Sequence, residues 1–280
     1  MARLVTWLGV APFALYTMLF LLIPTLAIVY SAFVSGSGQF TLGNVAMLLQ
    51  TQYFQAYVSS IELSAVSAAG GGIFGLLVAN AVLSNGVPKW LRPLLTTFSG
   101  VAANFAGVPL AFAFIATIGP TGLATELLLR AGFNLYHTGF SVFALAGLSL
   151  TYIYFELPLM ILIITPSLLG VRREWREAAV SLGAGNLQYW RHIGLPIILP
   201  TLLGAMVLLF GNAFSAYATP YALSGGFINL VPVLIGAVLS GNVGVNPKAG
   251  AALAFGMIII IALAVSVYAL LQRRSSRWLS

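Results

Sequence analysis

The residues that could do acid–base or metal chemistry are few and widely separated in this sequence. All five acidic residues are glutamates, there is no cysteine, and the two histidines are His137 and His192. An active site or a metal site needs several such groups facing one cavity. The scattered glutamates and the separated histidines therefore argue against a membrane-embedded enzyme and predict no metal site. The absence of cysteine also excludes disulfides, thiolate ligands and a cysteine nucleophile.

One carboxylate inside an apolar run is the first candidate for function. Glu156 lies in the middle of the stretch TYIYFELPLM, where an ionisable group is costly and marks a functional position by default. A carboxylate in a transport pathway would suit a cationic solute. The structural alternative is a Glu156 side chain that bonds to a neighbouring helix or to backbone freed by Pro158. Both interpretations stay open at this stage.

Four other polar residues in apolar segments are candidates for the same pathway. They are Glu62, Asn104, Asn212 and Tyr217. Glu62 is predicted near the outer end of its segment, where a position at the membrane interface is the simpler interpretation. The other three could line a path, but a helix–helix hydrogen bond of about 1 kcal/mol is the better interpretation of any one of them.

A polar segment, EWREAAVSLGAGNLQYWRHIGLP, separates two long apolar runs. From Glu174 to Leu182 its apolar residues recur at i, i+4 and i+7, which predicts a helix with one apolar face. Gly183 should end this helix, because glycine tolerates the left-handed conformation that helix ends often need. A second short helix is predicted from Asn186 to Ile193, and it leads into Pro196 at the start of the next apolar run.

The elements that must position these residues are membrane-spanning helices. The chain has 280 residues, of which 60% are hydrophobic and only 6% charged, far below the roughly 25% of a soluble domain. We therefore predict an all-α membrane protein in which a single transmembrane domain covers residues 1–280. Six apolar segments approach or exceed the roughly 20 residues that a span needs. They are residues 4–33, 61–83, 94–118, 140–169, 197–220 and 249–271.

The distribution of lysine and arginine predicts the orientation of these spans. With six spans, ten of the 12 basic residues fall on the side that carries both termini, and only Arg130 and Lys248 fall on the other. Cytoplasmic loops carry the excess of positive charge. Both termini and the polar segment are therefore predicted to be cytoplasmic, and the loops 119–140 and 224–248 are predicted to lie outside.

The glycine-rich stretch SAAGGGIFG is predicted to serve helix packing. It lacks the Gly-Lys-Ser/Thr ending of a phosphate-binding loop and it lies within the second span. Small residues let two helices approach closely in lipid. Nothing in this chain is therefore predicted to bind a nucleotide.

The polar segment has two physical interpretations. An amphipathic helix could rest on anionic lipid through its arginines, or it could dock on a protein. The order of its residues favours the protein. The segment fits in full the pattern Glu-Ala-Ala, three residues, Gly, nine residues, Ile, one residue and Leu-Pro. The matching residues are Glu177, Ala178, Ala179, Gly183, Ile193, Leu195 and Pro196. This pattern resembles the signature loop of permease subunits of binding-protein-dependent ABC importers.

The resemblance implies a six-helix permease whose coupling loop, residues 172–196, docks on a separate ATPase subunit. ATP and Mg²⁺ then belong to the ATPase, and this chain carries no cofactor. Ala178 and Ala179 are small enough for close approach to that partner, and Glu177 can meet a basic residue on it. Trp175 is either a buried anchor of the interface or a tryptophan at the level of the lipid headgroups.

The resemblance also implies the partners and the location. They are two ATPase subunits, a second permease, an external solute-binding protein and the lipid of a bacterial inner membrane, with no nucleic acid. The stretch TPYALSGG is similar to permeases of the polyamine and ferric-iron import group, which implies that the second permease is a related chain. A polyamine-like cation is the favoured solute, and ferric iron, phosphonate or another small solute are the alternatives. A secondary transporter is a rival, but we find neither a coupling-ion site nor repeat symmetry.

Overall fold

The structure is a computed structural model that describes residues 2–83, 87–88, 90–241 and 247–276. Its α-helices begin with α1 and α2, which a five-residue π-helical turn at Met18–Leu22 joins into one continuous helix. The bounds are α1 Ala2–Thr17, α2 Ile23–Ala32, α3 Gly43–Ala46, α4 Thr51–Leu83, α5 Leu91–Asn104, α6 Val108–Ile118, α7 Leu123–Arg130, α8 Leu145–Leu169, α9 Arg173–Ser181, α10 Asn186–Tyr189, α11 Leu195–Ser215, α12 Ala218–Ser224, α13 Val231–Leu239 and α14 Pro247–Ser276.

The predicted fold class is confirmed. Six stretches of the described residues are helical, long and apolar enough to cross a membrane. They are Val10–Ala32, Thr51–Leu83, Val108–Arg130, Leu145–Leu169, Asn186–Ser215 and Lys248–Gln272. The only β pairing within the described ranges is an isolated bridge between Val34 and Phe40. Two residues used for the orientation, Lys89 and Arg277, lie outside the described residues, as do the side chains of Arg3, Arg273 and Arg274.

The third span differs from the prediction of residues 94–118, because the long apolar helical stretch is Val108–Arg130 and includes the first part of the predicted outer loop 119–140. Residues 94–118 are not one helix, because the chain leaves helical geometry between α5 and α6 at Phe105–Gly107. Gly107 has a φ of +73°, which favours glycine, and Pro109 stands in the first turn of α6. Proline is accepted at a helix start but not within a helix. The sequence Gly-Val-Pro is therefore the local cause of the break.

The fifth span also differs at both ends. The predicted short helix at Asn186–Ile193 is not separate: α10, a π-helical turn at Trp190–Gly194 and α11 form one continuous helix. Pro196 has no N–H to donate, and a π-helical turn is one way in which a helix continues past such a gap. At the other end the helix stops at Ser215, and α12 starts after a break at Ala216–Tyr217.

The chain divides into two compact units, and the first comprises residues 1–57 and 234–261. In it, the Tyr57 hydroxyl donates to the Leu253 carbonyl at 2.5 Å, and the rings of Phe33 and Phe255 meet edge to face with centroids 5.0 Å apart. Gly256 leaves the space that the Tyr57 hydroxyl occupies. These contacts hold α14 of this unit against the residues around α2 and the start of α4.

The second unit comprises residues 58–233 and 262–280 and contains the polar segment. Its core includes fully buried side chains of α8, among them Leu148, Tyr152 and Met160. The glycine run of α4 packs here: a Cβ on Gly71 would lie 2.4 Å from the Glu156 Cβ, and one on Gly75 would lie 2.7 Å from the Leu157 carbonyl oxygen. Close packing through small residues, as predicted for this run, is therefore what the structure has.

Candidate functional site

The turn after α9 is built around Gly183. Its φ is +80°, and its N–H donates to the Val180 carbonyl at 2.9 Å while the Ala184 N–H donates to the Ala179 carbonyl at 2.9 Å. These two bonds are those of a Schellman motif, in which a left-handed residue ends the helix. The predicted role of Gly183 as the end of the helix is confirmed.

This turn presents apolar side chains to the outside of the chain. Leu182 is 88% exposed and Leu187 is 82% exposed. Beside Leu182 the surface forms a cleft of about 420 Å³ whose lining also includes Gly183 and Ile193. Large apolar side chains that are exposed together commonly mark a surface that contacts a partner.

The two alanines of the signature differ in position. Ala178 is exposed, as contact with a partner requires, but Ala179 is only 5% exposed and is covered by the chain's own residues. The small size of Ala179 therefore serves packing inside this chain, so that of the two alanines only Ala178 is exposed for close approach to a partner. The helical period explains this, because Ala179 falls on the face of α9 that turns inward.

The charged and aromatic residues of α9 make local contacts. Arg173 Nε donates to Glu177 Oε1 at 2.9 Å, and both side chains are mostly exposed. An exposed pair of this kind contributes only about 0.3–0.5 kcal/mol, so Glu177 can exchange it for another basic partner at little cost. Trp175 is partly exposed, and the guanidinium of Arg172 lies 5.8 Å from its ring centroid. Trp175 is therefore only partly covered by this chain, and its role as an interface anchor or as a headgroup-level tryptophan stays a prediction.

The remaining signature residues lie where the π-helical turn joins α11. Ile193 is half-buried, and Leu195 and Pro196 are exposed. Gly194 allows the Trp190 ring to come close, since a Cβ there would lie 2.7 Å from a ring atom. The motif thus covers the end of α9, the turn, and the first residues of the long helix that enters the apolar run.

Glu156 is fully buried and bonds to the next spanning helix. Its Oε1 accepts a hydrogen bond from Asn212 Nδ2 at 3.1 Å, and its Oε2 has no partner among the described residues. Asn212 itself is exposed on the surface of the chain. The bond to a neighbouring helix, which was the structural alternative for Glu156, is therefore present. The buried carboxyl lies directly beneath the Asn212 side chain, which reaches the surface.

The breaks in the third and fifth spans lie against each other. The Gly107 N–H donates to the Thr219 hydroxyl oxygen at 2.9 Å, and Thr219 is buried. Backbone groups that leave helical geometry inside a membrane need such partners. Asn104 is the last residue of α5 and is exposed, with its amide donating to the Gly100 carbonyl at 2.8 Å.

Two candidate residues remain. Tyr217 stands immediately before α12, is exposed, and stacks on Tyr221 with ring centroids 5.3 Å apart. Glu62 is exposed on α4. The structure therefore joins Glu156 to Asn212, and places Asn104 and Tyr217 beside the adjoining breaks. It shows no contact of Glu62 with these four among the described residues.

Sequence reasoning missed residues that hold this arrangement together. Thr219 lies in the stretch TPYALSGG, and its bond to Gly107 spans 112 positions. Ser167 Oγ donates to Thr201 Oγ1 at 3.1 Å and links α8 to α11 a second time. The Gly-Val-Pro sequence could have revealed the break, but no local signal identifies the distant side chain that satisfies it.

The fold is that of a transmembrane chain of bacterial ABC transporters. The chain aligns with a crystal structure of a bacterial ABC transporter involved in the import of the acidic polysaccharide alginate, with a TM-score of 0.72, 19% identity, and coverage of 99% of this chain and 96% of that one. It also aligns with the MetNI methionine ABC transporter, with a TM-score of 0.56 and 18% identity over 79% of this chain and 95% of that one.

The curated relatives are permeases of ABC transport systems, which confirms the resemblance. One is a probable sulfate transport system permease protein cysT of Nephroselmis olivacea, 26% identical, covering 83% of this chain and 78% of the relative. Another is the sulfoquinovosyl glycerol transport system permease SmoG of Agrobacterium fabrum, 26% identical, covering 80% and 75%. The spermidine/putrescine permease PotB of Salmonella typhimurium is 25% identical, covering 80% and 78%. No protein-family model matches the chain.

Proposed function

We propose that this chain is the permease subunit of an ABC importer and forms part of the translocation pathway for a small solute. The chain carries the six spans, and ATP hydrolysis takes place on separate ATPase subunits. The relatives support this proposal because they are permeases of such systems, and the fold supports it over the whole chain.

The observation that carries the proposal is the surface around Gly183. A helix rich in charge ends in a rigid left-handed turn, and two leucines stand almost fully exposed on either side of it. Burying an exposed apolar surface of this kind against a partner contributes about 25 cal/mol of favourable free energy per Å² of apolar area. We assign residues 172–196 as the coupling loop that docks on the ATPase, with Ala178, Glu177 and Leu182 facing it.

The proposed assembly contains two permease chains, two ATPases with ATP and Mg²⁺, and an external binding protein. One neighbouring structure is of the alginate transporter in complex with a periplasmic protein bound to an alginate pentasaccharide, which supports a binding protein for this chain too. We assign the loops 119–140 and 224–248 to its docking side, and a related chain as the second permease. The chain lies in a bacterial inner membrane as a single domain with both termini cytoplasmic.

For the solute, we propose a polyamine-like cation, because Glu156 places a buried carboxyl beneath the exposed Asn212. A spermidine/putrescine permease among the relatives supports this choice. An anionic solute is the second candidate, since another relative belongs to a probable sulfate transport system. Replacing Glu156 distinguishes the two, because only a cation gains from a carboxyl that can ionise beside it.

The test of the coupling role is ATP-driven uptake by the complete complex in proteoliposomes. Glu177→Arg reverses a charge at the docking surface, and we expect uptake to fall at least about tenfold, since like-charge contacts at an interface cost several kcal/mol. Glu174→Arg is the matched control, because it makes the same change on the same helix outside the signature. Uptake by Glu177→Arg at the level of this control would overturn the coupling role.

A further inference from the structure

A second cleft opens between residues of the coupling loop and the ends of two spanning helices. It has a volume of about 300 Å³, and Asn80 and Leu83 at the end of α4 form one part of its wall while Leu168 at the end of α8 forms another. The opposite wall is polar and carries three guanidinium groups, from Arg172, Arg173 and Arg176.

The positive charge of this cleft is only partly balanced within the chain. Arg173 has Glu177 as its carboxylate partner. Arg176 donates only to the neutral amide oxygen of Asn186, at 3.4 Å, and Arg172 lies over the Trp175 ring. No carboxylate within the described residues pairs with Arg172 or Arg176, so two positive charges stand at one small cleft without a counter-charge.

In the described part of the chain, these arginines do not bond to the free carbonyl groups at the ends of α4 and α8. The free carbonyl of Leu83 is taken by Arg92, whose Nη2 donates to it at 3.1 Å. Among the described contacts, none of the three cleft arginines donates to a carbonyl at the end of α4 or α8. A ligand from outside is therefore the natural counter-charge, and the planar guanidinium binds phosphate oxygens in pairs.

The position of the cleft at the ends of two spans indicates which phosphate it meets. The lining of the cleft combines the last turns of α4 and α8 with the start of α9. It also includes Trp190. Tryptophan, apolar side chains and arginine at the end of a span lie at the level of the lipid headgroups. A phosphodiester in this layer comes with two acyl chains that can lie along the exposed apolar surface.

We propose that this cleft binds the headgroup of an anionic phospholipid, with Arg172 and Arg176 holding its phosphate. The site is distinct from the docking surface around Gly183, since the two clefts share only Tyr189 in their linings. Arg191 takes no part in it. The proposal does not depend on which solute the protein carries.

The test is a titration of the purified full chain in mild detergent with phosphatidylglycerol, followed by native mass spectrometry. Each basic residue near a membrane surface contributes about 1 kcal/mol to binding an anionic lipid. We therefore expect the double variant Arg172→Gln/Arg176→Gln to bind phosphatidylglycerol about 10–30-fold more weakly than the native chain. Binding of phosphatidylcholine, which has the same phosphate but no net charge, should be weak in both.

The matched control is the double variant Arg130→Gln/Arg191→Gln, which loses the same charge away from the cleft and should bind phosphatidylglycerol like the native chain. Equal loss of binding in the two double variants would overturn the site, as would no loss in either. Added inorganic phosphate at 10 mM should not displace the lipid. Displacement would assign the cleft to a free anion and overturn its assignment to a lipid. Thermal melting verifies that every variant is folded.

Discussion

Asn212 donates a hydrogen bond to Glu156 and so joins the two helices that precede and follow the coupling loop. Ser167 and Thr201 join the same two helices again, nearer the loop. Glu156 also packs against the place where Gly71 brings α4 close. One buried carboxyl therefore lies at the meeting point of three spanning helices, directly connected to the helices that would move with the loop.

Glu156→Gln is expected to slow the uptake of a cationic solute while assembly stays normal. Glutamine keeps an oxygen that can accept from Asn212 and removes the ability of this position to become negatively charged when a cation is near. With labelled putrescine in proteoliposomes, we expect an uptake rate about tenfold lower, equivalent to about 1.4 kcal/mol of lost stabilisation. Glu174→Gln is the control, since it removes an exposed glutamate that is not a pathway candidate. Unchanged putrescine uptake by Glu156→Gln would retire the pathway role.

Gly71→Ala is expected to destabilise the protein because there is no room for a methyl group. A Cβ at this position would lie 2.4 Å from the Glu156 Cβ, and overpacking of this kind typically costs about 1–3 kcal/mol. Thermal melting in detergent measures the effect as a lower midpoint. Gly100→Ala is the matched control within a helix, because nothing lies within 4 Å of its added Cβ. A Gly71→Ala midpoint equal to that of the control would contradict the close helix approach.

Thr219→Val is expected to leave the Gly107 N–H without its partner at the break between α5 and α6. Valine has nearly the same shape but no acceptor, and an unsatisfied buried donor costs about 1–3 kcal/mol. Thr219→Ser should retain most of the stability because it keeps the hydroxyl. Thr117→Val serves as the comparison, since the Thr117 hydroxyl bonds only within its own helix. Equal melting of Thr219→Val and Thr219→Ser would show that the bond does not support the break.

Gly183→Ala is expected to strain the turn and weaken ATP-driven uptake. Its φ of +80° costs a residue with a side chain about 1–2 kcal/mol. Gly185→Ala is a close control, because Gly185 lies two residues away with an ordinary φ of −70°. Measured side by side in proteoliposomes, the first variant should lose transport and the second should keep it. Equal transport would mean that the left-handed turn is not needed.

Sequence patterns predicted the elements of this protein better than the contacts between them. Hydropathy and length predicted six spans, and the glycine at position 183 predicted the end of α9, because both depend on local chemistry. The bond between Gly107 and Thr219 could not be predicted, since it depends on how distant spans pack. The signature motif gives only the residue types at Ala178 and Ala179, and the packed helix is needed to show that Ala179 turns inward while Ala178 is exposed.

Cross-linking from Leu182 to the ATPase is the most direct test of the coupling loop. The chain contains no cysteine, so a single introduced thiol reports one position. Leu182→Cys should cross-link to the ATPase subunit in the assembled complex, because Leu182 is 88% exposed beside the Gly183 turn. Phe227 is still more exposed, at 95%, but lies in a loop predicted on the opposite side, so Phe227→Cys should give no ATPase product. Cross-linking to the ATPase from Phe227→Cys and not from Leu182→Cys would contradict the account.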